Sequence, residues 1–159
     1  MPCQKCKDNP NSHSFHHLGQ TKNGCEIIYT CPAKTVGFDG SDPNFVYYFD
    51  EHLRMIHGKP WVWLFDCQGF KMEYMLSMSN LRQLVSYLNE KHTDYLQNSY
   101  ILHAGWAFTQ MMSMTTPLLK KETRKKIHVL PDNPLDLLVH LEKQGFSSHQ
   151  VHSFLKSSS

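Results

Sequence analysis

The sequence predicts an α/β fold, a mostly parallel sheet flanked by helices, on three observations. Short runs of apolar and β-branched residues alternate along the chain with longer segments whose apolar residues recur every three or four positions. The strongest run, Trp61-Val62-Trp63-Leu64-Phe65, is apolar throughout and bounded by Pro60 and Asp66, as in a strand covered on both faces. The 159 residues, 40% hydrophobic and 19% charged, suffice for one domain with a real core.

Each element has a local signal. Residues 1–20 are rich in Asn, Ser, His and Lys and predict a flexible arm. Lys22-Asn23-Gly24 marks a turn, and Ile27 and Ile28 give residues 26–30 strand character. After a Gly- and Pro-containing loop, Asp42 and Pro43 suit the start of a helix that carries Phe45, Phe49, Leu53 and Ile56. Gly58 and Pro60 end it before the strand at 61–65. Residues 79–90 form an amphipathic helix through Leu81, Leu84, Val85 and Leu88. A second buried strand follows at 100–102, an apolar, Met-rich helix at 107–119, and a third core strand at 127–130. Pro134 opens a helix with Leu135, Leu138, Val139 and Leu141, Gly145 ends it, and a short helix covers 149–155. A single domain over 21–155 and a disordered Ser-rich tail at 156–159 complete the organisation.

Composition excludes several classes of function. A net charge of +2 gives no field suited to nucleic acid. No run of about eighteen apolar residues predicts a membrane span. The first residues lack the apolar stretch of a secretory signal. Five cysteines, an odd count, argue against a disulfide framework and for a reducing, cytoplasmic setting. No Gly-rich phosphate loop and no nucleophile signature surrounds Cys67, so no enzyme is expected. Asp66 is expected to accept hydrogen bonds from the turn that follows it.

Four segments in order carry a resemblance. Residues 17–29 contain His17-Leu18-Gly19 and end near Tyr29. The apolar strand at 61–65 runs into Asp66-Cys67-Gln68-Gly69. Tyr100-Ile101-Leu102 runs into His103-Ala104-Gly105-Trp106-Ala107-Phe108. Pro117-Leu118-Leu119, Thr123 and Lys126-Ile127-His128-Val129-Leu130 close the set. Together they resemble the CRAL-TRIO lipid-binding domain over residues 15–145, which implies a CRAL-TRIO-like sandwich. The chain departs from the family at Gly105, where the family has Pro, and at His103, where it has Asn. Within these 159 residues nothing resembles the helical domain that precedes the family's lipid domain, or its usual ending. The C-terminal segment around Leu141 to Val151 resembles the BCH-type branch found beside Rho GTPase-activating domains.

The resemblance implies a lipid pocket gated by the Met-rich helix, with Trp106, Phe108, Met111, Met112, Met114, Leu118 and Leu119 as wall. Phe65, Phe70, Met72, Met75, Leu76 and Met78 are secondary candidates. Met side chains, unbranched and polarisable, adapt to a flexible ligand. It also implies headgroup roles for Asp94, Thr123 and Lys126, beside a basic run of Lys120, Lys121, Arg124, Lys125 and Lys126 that could touch anionic lipid. The expected partner is a phospholipid, such as a phosphatidylinositol, or another hydrophobic small molecule, held for transfer, sensing or membrane-linked signalling. Transient contact with an anionic membrane surface would follow, making the protein cytoplasmic and peripheral to membranes. The alternative is a BCH-like interaction module that binds a small GTPase or other regulator without lipid. No cofactor is expected. Cys3-x-x-Cys6, with His13, His16, His17, Cys25 and Cys31 further on, supplies zinc-type ligands. Its spacing matches no standard finger, so the expectation is no metal, with Cys3 and Cys6 as the alternative pair.

Overall fold

Alternation within one strand organises the molecule. In a computed structural model that describes residues 3–157, β3 (Trp61–Asp66) sits at the centre of a five-stranded sheet of order β1-β2-β3-β4-β5. β2 (Glu26–Thr30), β4 (Leu96–Leu102) and β5 (Ile127–Val129) run parallel to it and to one another. β1 (His16–Gln20) pairs antiparallel with β2 across a tight turn. Gly24, at φ 84°, takes that turn through the left-handed region, where a side chain is disfavoured.

Parallel neighbours need crossovers. α2 (Phe45–Leu53) joins β2 to β3, and α3 (Met78–Lys91) joins β3 to β4. α4 (Trp106–Thr115), with the short α5 (Lys121–Arg124), joins β4 to β5. Strand order follows chain order through the parallel part of the sheet, so crossovers of one hand place all three connections on one face. Ile28, Trp61, Leu96 and Ile101 point to that side. Ile27, Tyr29, Val62, Leu64, Tyr100 and Leu102 point to the other, where α6 (Pro134–Lys143) and α7 (Ser148–Ser157) bury Leu137, Leu141 and Val151. The result is helices, sheet, helices.

The caps agree with local chemistry. Ser77 Oγ accepts from the amide of Asn80 at the start of α3. Asn133 Oδ1 accepts from Leu135 and Asp136, with Pro134 at the first helical position. α2 differs from its sequence signal. Its cap is Asn44, while Asp42 stabilises the preceding turn by accepting from Asn44 N and pairs with Lys5 at 2.8 Å. The Met-rich helix breaks at Thr116, because Pro117 lacks the amide that would continue it, and ends in a 3-10 turn. β5 is an edge strand, with His128 and Val129 exposed, where the sequence pattern predicts a core strand.

The N-terminal segment, read from sequence as an arm, contributes α1 (Gln4–Asp8) and β1. β1 is polar and held by its ladder to β2, with His17 paired to Glu26. The predicted tail begins inside α7, whose last described residue is Ser157, and Ser158 and Ser159 lie outside the described residues. Between α2 and α3, Tyr87 Oη donates to Asp50 at 2.7 Å and lies 2.9 Å from Nε2 of the buried His92.

Candidate functional site

The crossover face of the sheet is not closed by packing. Residues of that face from β3, β4 and β5 (Trp61, Trp63, Phe65, Ser99, Ile101 and Ile127) form the floor of a cavity of about 200 Å³. Phe45 and Phe49 of α2, Leu84, Val85 and Leu88 of α3, and Phe108, Met111 and Met112 of α4 enclose it. The register explains the floor: Trp63 lies beside Ser99 and Phe65 beside Ile101, all on one side of the sheet. The indole of Trp63 donates to Thr30 Oγ1 at 2.9 Å, and that of Trp61 to His92 O at 3.0 Å, so neither leaves an unpaired N–H facing the apolar space.

One set of polar groups lies at the β5 end, while Ser14, Thr30 and Thr35 line the cavity elsewhere. Lys126 Nζ donates to Thr93 O at 2.8 Å, Lys126 N to Thr123 O at 3.0 Å, and Ser99 N to Lys126 O at 2.8 Å. Thr93, Ser99 and Thr123 all line the cavity and are buried. A few hydroxyls set in an apolar space are groups of the kind that orient a bound ligand.

The structure brings Phe108, Met111, Met112 and Leu119 to the wall predicted from sequence, together with Phe65, Phe70, Met75 and Leu76. It places Trp106 in solvent at 68% exposure, and Met114 off the cavity. Leu118 faces a shallow depression with Asn89 and Lys120, and Met72 and Met78 are exposed. Of the headgroup trio, Thr123 lines the cavity, Lys126 does not line it but reaches the carbonyl of Thr93, which does, and Asp94 is on the surface, 3.9 Å from Lys120. Sequence reading missed the α2 aromatics and, within the inward set of β3, Trp61 and Trp63. Their signal was the period of two inside a run that is apolar at every position, which hides which residues share a face.

The thiol that follows β3 is buried and held protonated. Burial, with the Asp66 carboxylate next to it, pushes the Cys67 pKa up to about 12. Asp66 itself accepts from Tyr29 Oη at 2.6 Å and from Gln68 N at 2.9 Å, the turn-stabilising role its position predicts.

A second cluster lies at the foot of α2. Cys3, Cys6, His13 and His52 converge with one ligating atom from each within 4.8 Å of all the others. Burial holds both imidazoles near a pKa of about 4, hence neutral. Cys31, His17 and Cys25 take no part: Cys31 Sγ faces Gln68 O, His17 pairs with Glu26, and Cys25 packs at the opposite core.

The family model for the CRAL/TRIO domain matches residues 14–146. No curated protein matches the chain. Among solved structures, one titled "Crystal structure of Sfh5" is similar in fold, with a TM-score of 0.52 at 13% identity, covering 74% of this chain. This chain spans 46% of that one.

Proposed function

The chain belongs to the CRAL/TRIO family of lipid-binding domains, and from that premise we propose that it holds a phospholipid or another hydrophobic ligand in the cavity between the sheet and α2, α3 and α4. The observation that carries this reading is the cavity. Its walls are almost wholly apolar, the lining that suits an acyl chain. Ligand pockets measure about 300–1,000 Å³, so entry requires widening. α4 is the element suited to move. It begins after Gly105, ends at the Pro117 turn, and presents adaptable Met111 and Met112 to the cavity.

Thr123 and Lys126 then take a phosphate at the β5 end, a hydroxyl and an ammonium together. Lys126 must first leave the Thr93 carbonyl. The exposed Lys121, Arg124 and Lys125 beside them support docking on an anionic membrane, each contributing on the order of 1 kcal/mol. The ligand class includes phosphoinositides, for transfer or sensing.

A second reading, a protein-interaction module for a small GTPase or other regulator, draws on α6. Leu135 and Val139, four residues apart, are exposed on its outer face, Leu135 at 73%.

Native mass spectrometry with organic extraction separates the two. A phospholipid-sized adduct is expected, lost on Ile101→Trp, which fills the floor, and weakened by Lys126→Gln. A mass that stays unliganded after incubation with mixed liposomes would overturn the lipid reading.

A further inference from the structure

We propose that Cys3, Cys6, His13 and His52 bind one zinc ion, which clamps the N-terminal segment onto α2. The distances within the cluster are those of a metal site. Zn²⁺ takes thiolate at about 2.3 Å and imidazole at about 2.0–2.1 Å, so a tetrahedral site holds sulfur and nitrogen about 3.6 Å apart. Cys3 Sγ to His13 Nδ1 is 3.3 Å, Cys6 Sγ to His13 Nδ1 is 3.6 Å, and Cys6 Sγ to His52 Nε2 is 3.5 Å. Hydrogen bonding does not account for this set. His13 Nδ1 offers one lone pair or one proton, yet it faces two sulfurs, Cys3 Sγ and Cys6 Sγ. A cation at the centre satisfies every contact at once.

The chemistry suits zinc. Two thiolates and two neutral imidazoles around Zn²⁺ make a site of zero net charge, which can be buried without an unpaired ion. Cys3, Cys6 and His13 are buried and His52 is half-buried, and protein supplies all four ligands, the closed arrangement of a structural site. Thiolate and imidazole in a tetrahedral S₂N₂ set also disfavour calcium and magnesium, which take oxygen.

The ligands come from three places. Cys3 and Cys6 sit at the start of α1 and one turn into it, His13 precedes β1, and His52 is in the last turn of α2. Around them, Gln4 N donates to Glu51 Oε2 at 3.2 Å and Lys5 bonds Asp42, so other contacts hold the same register. The clamp also reaches the cavity, because His13, Ser14 and Phe15 form part of its wall. Metal binding therefore stabilises one side of the pocket as well as the arm. The proposal does not depend on the identity of the lipid.

The test is metal analysis of the full chain purified under reducing conditions without chelator, followed by Co²⁺ substitution. About one equivalent of zinc per chain is expected, and the cobalt form should show thiolate charge-transfer bands and the intense visible bands of a tetrahedral centre. Cys6→Ser and His52→Asn should each weaken zinc binding by more than about tenfold in competition with a chromophoric chelator. Cys25→Ser should bind as the parent does. His52→Asn changes one half-buried side chain on an intact helix, and circular dichroism checks that it folds. A folded parent chain that carries no metal and gives no tetrahedral cobalt spectrum would overturn the proposal. So would a folded His52→Asn chain that binds zinc as tightly as the parent.

Discussion

Lowering the pH from about 7 to about 5 is expected to weaken the fold by about 2 kcal/mol through one side chain, His92. Its imidazole is 2% exposed. Tyr87 Oη gives its only proton to Asp50 and so can accept from Nε2–H of His92. That fixes the tautomer and leaves Nδ1 as a buried lone pair without a partner. Burial first, and His57 second, hold its pKa at about 4 against an ordinary 6.5. Between those values the unfolded chain takes up a proton that the native chain refuses. Stability is therefore full above the upper value, falls as pH drops through the window, and levels off below about 4. The complete gap corresponds to on the order of 3 kcal/mol, of which about 2 is lost by about pH 5. The assay is urea unfolding of the parent and of His92→Gln at both pH values. Gln keeps an N–H for Tyr87 and does not titrate. His13 and His52, also held near about 4 by burial, affect both chains alike and cancel in the difference. If His92→Gln loses as much stability on acidification as the parent, the reasoning about Nδ1 is refuted.

Two further substitutions test the frame around the cavity. Asp66→Asn replaces the charged acceptor shared by Tyr29 Oη and Gln68 N, and should cost on the order of 3 kcal/mol in chemical denaturation. A loss below about 0.5 kcal/mol would show that those bonds are not coupled to the sheet. Gly40→Ala places a Cβ 2.3 Å from the Met75 carbonyl oxygen, against backbone that cannot rotate away. It should cost about 1–3 kcal/mol and loosen the segment that carries Met75 and Leu76 over the cavity, read as a lower melting temperature and faster hydrogen exchange there.

The alternation of elements made the parallel sheet legible, because crossover helices and apolar strands each have their own period. The Met-rich segment pointed to the wall for the same reason: Phe108, Met111 and Met112 share a helical face. What stayed hidden depends on tertiary pairing. β1 has no hydrophobic period and exists because β2 offers it a ladder. His52 looks like an ordinary polar position of an amphipathic helix. Nothing in the spacing of Cys3 and Cys6 points to a partner 46 residues away from Cys6. Asp94 is the converse case, matched by position to a headgroup carboxylate yet exposed at 81% of its side chain and turned to Lys120.

The three tryptophans divide the molecule optically. Trp61 and Trp63 look into the cavity, while Trp106 stands in solvent on the first turn of α4. A water-soluble quencher reaches the last most readily, and Trp106→Phe leaves a chain whose emission comes from the cavity floor alone. On the proposed lipid reading, the arrival of a ligand in that background would become a change of colour or intensity, read from two indoles the chain already carries, with no label added.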